Sequence, residues 1–178
     1  MRASGKEIRL ATLSMATGLH LALIQSCHFL LLESHLSARS FSYFVTLFFW
    51  LIGFLVGLQL RGARWFAGLV GAGAAGYYAI WLLARWMPFH TALYPAAAAS
   101  SAVSALLAGY FFRFVGDRYR PVRRPLLHEN NGFVLGLFLA LKGVVHLGGW
   151  LLAGAPAAGA ALVALAFAVA RRDLSDPG

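Results

Sequence analysis

Lys142 and His146 stand one helical turn apart inside the apolar stretch Glu129–Trp150. A charged side chain near the centre of a bilayer costs roughly 2.5–3.5 kcal/mol on insertion scales. Lys142 therefore calls for a carboxylate, a carbonyl, water or a ligand. A second set of polar residues, Gln25, His28 and Glu33, lies along the apolar run Leu10–Leu32. Gln25 and His146 both fall roughly 10 Å below the outer ends of their expected helices, at 1.5 Å per residue. His28 is a turn above Gln25 on nearly the same face, and Lys142 is a turn below His146. The spacing predicts an intramembrane polar cluster of Gln25, His28, Glu33, Lys142 and His146. Such a cluster is what a small-solute or ion carrier would use.

Two other chemistries use the same residues. His28 and His146 on adjacent helices at one depth meet the minimum for a bis-histidine haem site, which would make an electron-transfer subunit. Ser100-Ser101 in one apolar run and His146 in another superficially match the serine and histidine helices of an intramembrane protease. The glycines that such a serine needs are missing, and a serine nucleophile requires a positioned base and oxyanion donors. No catalytic centre is expected. Cys27 is the single cysteine, so no intrachain disulfide forms, and no metal-ligand spacing is present.

Composition decides the solvent around these residues. Of 178 residues, 60% are apolar and 12% charged, with mean hydropathy +0.72. Soluble domains carry about 25% charged residues. Six apolar runs predict helices at about 10–32, 41–60, 65–84, 93–112, 131–152 and 156–170, all in a single membrane domain over 1–178. Fifteen residues span only about 22 Å, so the sixth helix needs snorkelling arginines or local thinning. The long unbroken runs lack the alternation of a membrane β-barrel. Leu10–Leu32 is too long for a signal-peptide core and reads as an uncleaved first span.

The charge distribution orients the bundle. With a cytoplasmic N-terminus, the inner side holds Arg2, Lys6, Arg9, Arg61, Arg64, Arg113, Arg118, Arg120, Arg123, Arg124, Arg171 and Arg172, and the outer side holds Arg39 and Arg85. This is a positive-inside bias, with both termini cytoplasmic. The net charge of +9 is thereby spent on orientation rather than on nucleic acid. Segment 113–130 is expected as a basic cytoplasmic loop whose Arg118, Arg120, Arg123 and Arg124 contact anionic lipid headgroups or an acidic partner.

Small residues show how the helices meet. Gly53/Gly57 and Gly132/Gly136 form G-x-x-x-G pairs that permit close backbone approach. No glycine-rich nucleotide loop with a strand–turn–helix setting is present.

The stretch Gly18–Gly57 resembles the membrane portion of the spermidine-synthase-like membrane proteins. Its apolar helix ends in Glu33 with Arg39 nearby, then comes the small and aromatic segment Ser40–Phe44, then a helix with Gly53 and Gly57. Further on, E-N-N-G-F-V-L-G is similar to that family's pattern at the start of its fifth helix, at Glu129, Gly132 and Gly136. The resemblance implies a membrane module that often carries a soluble aminopropyltransferase-like domain. These 178 residues include neither that domain nor an acidic catalytic pair, so no synthase activity is expected.

The expectation is a non-enzymatic, multi-pass protein of a bacterial inner membrane, the bacterial origin resting on alanine, glycine and arginine richness. Its expected role is an accessory or scaffolding subunit that contacts lipids and other membrane subunits. A small-solute or ion carrier using Lys142 and His146, and a haem-binding subunit, are the alternatives.

Overall fold

A computed structural model describes residues 5–36, 39–118 and 122–174. Six helices follow one another: α1 Gly5–Leu36, α2 Arg39–Gly57, α3 Trp65–Trp86, α4 Leu93–Arg118, α5 Arg123–Leu147 and α6 Gly149–Leu174. All six are long and apolar enough to cross a membrane, and no strand occurs among the described residues.

Several boundaries differ from the sequence expectation. α1 runs from Gly5 to Leu36, so Lys6, Glu7 and Arg9 at one end and Glu33 at the other are helical. Most of segment 113–130 is helical rather than loop: α4 continues to Arg118 and α5 starts at Arg123. Charged residues propagate a helix well, and Pro125 sits in the first turn of α5, where a missing N–H matters little. Arg120 lies outside the described residues, as does the side chain of Arg118.

The largest correction is at the fifth and sixth helices. α5 ends at Leu147, not Leu152, because Gly148 turns into the positive-φ region (φ 52°) that favours glycine. α6 then starts at Gly149 and is 26 residues long, about 39 Å at 1.5 Å per residue. The expected turn Ala153–Pro156 lies inside it. Pro156 has no N–H and removes the partner of the Leu152 carbonyl. α3 supplies the repair: Tyr77 Oη donates to the Leu152 oxygen at 2.9 Å. Tyr78 Oη donates to the Ala153 oxygen at 2.7 Å and accepts the Ala157 N–H at 3.2 Å. Backbone groups freed inside an apolar bundle persist where a neighbouring helix satisfies them.

Packing divides the helices into two groups. α1 packs mainly on α5 and α6, and α4 mainly on α2 and α3. Glycine sets both of the tightest interfaces. A Cβ on Gly132 would fall on the Met15 carbonyl, and one on Gly136 would meet Leu19 and Ala22. A Cβ on Gly53 would fall on the Ala102 carbonyl, and one on Gly57 on that of Leu106. Contacts advance in step along both pairs, so α1 is parallel to α5, and α2 to α4. Met15 thus corresponds to Ala102 and Leu19 to Leu106. The same register matches Gly18 with Ala105 and Ala22 with Gly109, a small-x-x-x-small pair in each helix.

The two halves of the chain, α1–α3 and α4–α6, therefore follow one packing plan. The second half is upside down relative to the first. α3 and α6 run antiparallel: Tyr77 meets Leu152 at one end, and Phe66 stacks on Phe167 at 4.3 Å at the other. Burial follows the same plan. α1 and α4 are each the most buried helix of their half. The link between the halves is pinned where the Phe89 N–H (φ 64°) donates to the His35 carbonyl at 3.0 Å.

Candidate functional site

The five residues expected to cluster are not brought together. Lys142 and His146 stand on the exposed face of α5, and His146 Nδ1 donates to the Lys142 carbonyl at 2.8 Å within its own helix. The glycine face of α5 is turned to α1, which leaves these two on the opposite side. With α5 ending at Leu147, Lys142 lies only about 7–8 Å from the helix end at 1.5 Å per residue, within reach of the interface by snorkelling. Gln25 and Glu33 are half-buried on α1. His28 alone is in the core.

His28 joins three helices. Its Nδ1 contacts the Ile24 carbonyl at 2.8 Å, and its Nε2 contacts Ser100 Oγ of α4 at 2.8 Å. A carbonyl only accepts, so Nδ1 carries the proton and Nε2 accepts the Ser100 O–H. The ring edge meets Tyr77 of α3 at 5.1 Å. Both nitrogens are thus engaged, and His146 is on the outside of the bundle. The paired-histidine haem site does not fit this arrangement.

Ser100, set beside His146 only in the superficial protease comparison, has its partner elsewhere. It bonds His28 rather than His146. Serine O–H to a histidine whose other nitrogen is oriented by a carbonyl is the beginning of a nucleophile–base pair. Here both residues are buried, and Gly76 packs closely on Ser100. The pair acts as an interhelical hydrogen bond between α1 and α4.

The inner face of α1 carries further polar groups that sequence reasoning passed over. Ser14, Thr17 and His20 are all buried. Thr17 Oγ1 donates to the Leu13 carbonyl at 2.8 Å. Among the described residues, Ser14 Oγ, His20 Nδ1, Ser42 Oγ, Thr46 Oγ1 and Ser101 Oγ are buried without a hydrogen-bond partner. Ser14 and Ser101 occupy matching places in the two halves. The hydroxyl groups can rotate within their helices, but a histidine ring has fixed donor and acceptor directions. His20 Nδ1 faces Gly159 of α6, where a Cβ would lie 2.7 Å from it. One signal was available beforehand: a proline within a long apolar run frees the carbonyl four residues earlier, so tyrosines elsewhere become its candidate donors.

Charged side chains gather at one end of the bundle. Arg124 Nη1 donates to Glu7 Oε1 at 3.0 Å, joining the first turns of α1 and α5, with both side chains largely exposed. At the other end, Arg85 lies 4.9 Å from the Trp81 ring centre, a pairing suited to a membrane interface. No protein-family model, curated protein or solved structure matches this chain.

Proposed function

We propose that the protein spans a bacterial inner membrane six times, with both termini cytoplasmic, and that its two inverted halves form a carrier for a small solute or ion. One observation carries this reading: α1–α3 and α4–α6 interlock by the same glycine contacts in opposite orientations. Inverted repeats around an axis in the membrane plane are the usual design of secondary transporters, whose states interconvert by rocking one repeat against the other. Pro156 stands inside α6 at its contact with α3 of the opposite repeat, where Tyr77 rather than α6 itself satisfies the Leu152 carbonyl. The arginine-rich end of the bundle supports the orientation.

Spin labels test it. Cysteines replace Trp86 and Trp150 at the outer end, or Arg61 and Arg171 at the inner end, in a Cys27→Ser background. Distances measured by pulsed electron resonance in nanodiscs should show two populations at each end, with opposite trends. A single narrow distance at both ends under all conditions removes the carrier reading.

A second reading has its own observation. α5 presents Phe138, Leu141 and Val145, all more than half exposed, beside the charge of Lys142. An acidic group of another membrane subunit would complete such a face, consistent with an accessory role. Affinity purification of the tagged full-length protein in mild detergent checks it. A stoichiometric partner lost in Lys142→Leu supports the subunit reading, and a stable protein without company refutes it.

A further inference from the structure

We infer that Glu129 is a proton-binding carboxyl of the α1–α5 interface, neutral while the two helices touch and charged when they part at the arginine-rich end. Its use as a coupling site rests on the carrier reading above, but its chemistry does not.

The internal repeat singles this residue out. With Gly132 matched to Gly53 and Gly136 to Gly57, the run W-L-I-G-F-L-V-G-L from Trp50 aligns with E-N-N-G-F-V-L-G-L from Glu129. Trp50 and Glu129 thus occupy equivalent places, and each is 7% exposed. The packing plan makes one buried slot in each half. α2 fills it with an indole, which shows that the slot needs no charge for packing. α5 puts a carboxyl there, on the same stripe as its buried Gly132 and Gly136. The backbone at this point is pressed onto α1: a Cβ on Gly18 would fall on the Glu129 carbonyl oxygen.

The surroundings select the ligand. No hydrogen bond or ion pair reaches the Glu129 carboxyl among the described residues. The charged groups near that end have other partners or lie further out. On α1, Glu7 takes Arg124 of α5, and Arg9, like Arg113 of α4, is engaged by other groups. Arg171 of α6 is exposed at the end of its helix, His128 stands beside Glu129 on a different face of α5, and His20 packs on α6. Ser14, one turn before Gly18 on the same face of α1, is buried and unpaired. Taking a bare carboxylate out of water without a partner costs far more than taking the acid, so such a group binds a proton instead. A metal ion needs several ligands, and no three candidates come together among the described residues. Glu129 lies five residues beyond Arg124, about 7–8 Å at 1.5 Å per residue, and its neighbours Asn130 and Asn131 are exposed. A small separation of α1 from α5 therefore brings the carboxyl to water. The sign follows: the closed contact is favoured while the proton is bound and weakens as pH rises and the proton leaves. Intramembrane carboxyls serve as proton relays in transporters.

The test is infrared difference spectroscopy of the full-length protein in lipid nanodiscs, from about pH 5 to about pH 9, where buried carboxyls titrate. The expected result is a protonated-carboxyl band that persists at about pH 6, where exposed carboxylates are ionised, and disappears as pH rises. Glu129→Gln should lack it; should that variant misfold, Glu129→Asp should displace it. Absence of any such band from about pH 6 upwards overturns the proposal. Spin labels at Ile8 and Leu127, both more than half exposed near the starts of α1 and α5, read the contact in the Cys27→Ser background. Their distance should widen with pH in the wild type and stay at its low-pH value in Glu129→Gln. A distance that stays fixed while the band is lost overturns the claim that charging Glu129 parts the helices. The Trp86/Trp150 distances above are read in the same samples. Populations that follow the same pH dependence tie the proton to the carrier motion, and invariant ones remove the carrier reading while the proton site stands.

Discussion

Tyr77→Phe and Tyr78→Phe test the repair of α6 quantitatively. Tyr77 makes one hydrogen bond to α6, at the carbonyl that Pro156 orphans, and Tyr78 makes two. Interhelical hydrogen bonds within membranes average about 0.6 kcal/mol and reach about 1.7 kcal/mol. Tyr77 fills a gap that α6 cannot close by itself, so its loss should fall in the upper part of that range, about 1–1.5 kcal/mol. Tyr78→Phe should cost about 1.5–2.5 kcal/mol, because two backbone groups lose a partner and a buried unsatisfied group costs about 1–3 kcal/mol. Pro156→Ala provides the control. Alanine restores an N–H that can reach the Leu152 carbonyl and removes the clash of the ring with it. In that background Tyr77→Phe should cost less than about 0.5 kcal/mol, giving a coupling of about 1 kcal/mol between positions 77 and 156. The assay is reversible unfolding in mixed micelles, or steric trapping in bicelles, on all four members of the cycle. Equal costs of Tyr77→Phe in both backgrounds would refute the claim that the tyrosine serves the proline.

The glycines should split into two classes by the same assay. Gly18→Val, Gly109→Val and Gly132→Leu drive side chains into the facing backbone and should each cost about 2–4 kcal/mol, beyond ordinary overpacking of about 1–3 kcal/mol. Gly68→Ala and Gly71→Ala meet open space and should be neutral or stabilising by up to about 1 kcal/mol, the helix-propensity difference. Ser100→Ala leaves His28 Nε2 without its donor and should cost about 0.6–1.7 kcal/mol, while Lys142→Leu should change stability by less than about 1 kcal/mol because the lysine already reaches the interface. Glu7→Gln should lose no more than about 0.5 kcal/mol at low salt and nothing measurable at high salt, as for any exposed ion pair. Reporter fusions should place the C-terminus in the cytoplasm and segment 87–92 outside; a cytoplasmic reporter signal from that segment would invert the orientation.

The six helices were legible in the sequence because the free energy of placing a segment in lipid depends on its own side chains. Leu10–Leu32 or Phe41–Leu60 declares itself without reference to any other part of the chain. The close-packing glycines Gly53, Gly57, Gly132 and Gly136 were legible for a related reason, since the absence of a Cβ is a local property. Helix ends were read less well. Segment 113–130 looked like a loop because its charges mark an interface, yet charge does not stop a helix. Ala153–Pro156 looked like a turn because Pro156 cannot complete its own hydrogen bonds, and the hydroxyls that do so come from α3.

The polar residues divide in the same way. Their presence in α1 and α5 was visible in the sequence, but not the direction in which each points. Lys142 and His146 were placed with His28 on depth alone. The glycine contact of α5 with α1 turns them outward, and that contact is a fact about two helices. His28 meets Ser100, and His20 meets Gly159, only because α1 is enclosed by helices from the other half of the chain. Composition and hydropathy determined what kind of solvent this protein suits and how many times it can cross it. Which side chains face one another, and the inverted equivalence of the two halves, were decided by tertiary packing, because register and rotation are shared between helices and belong to none of them alone.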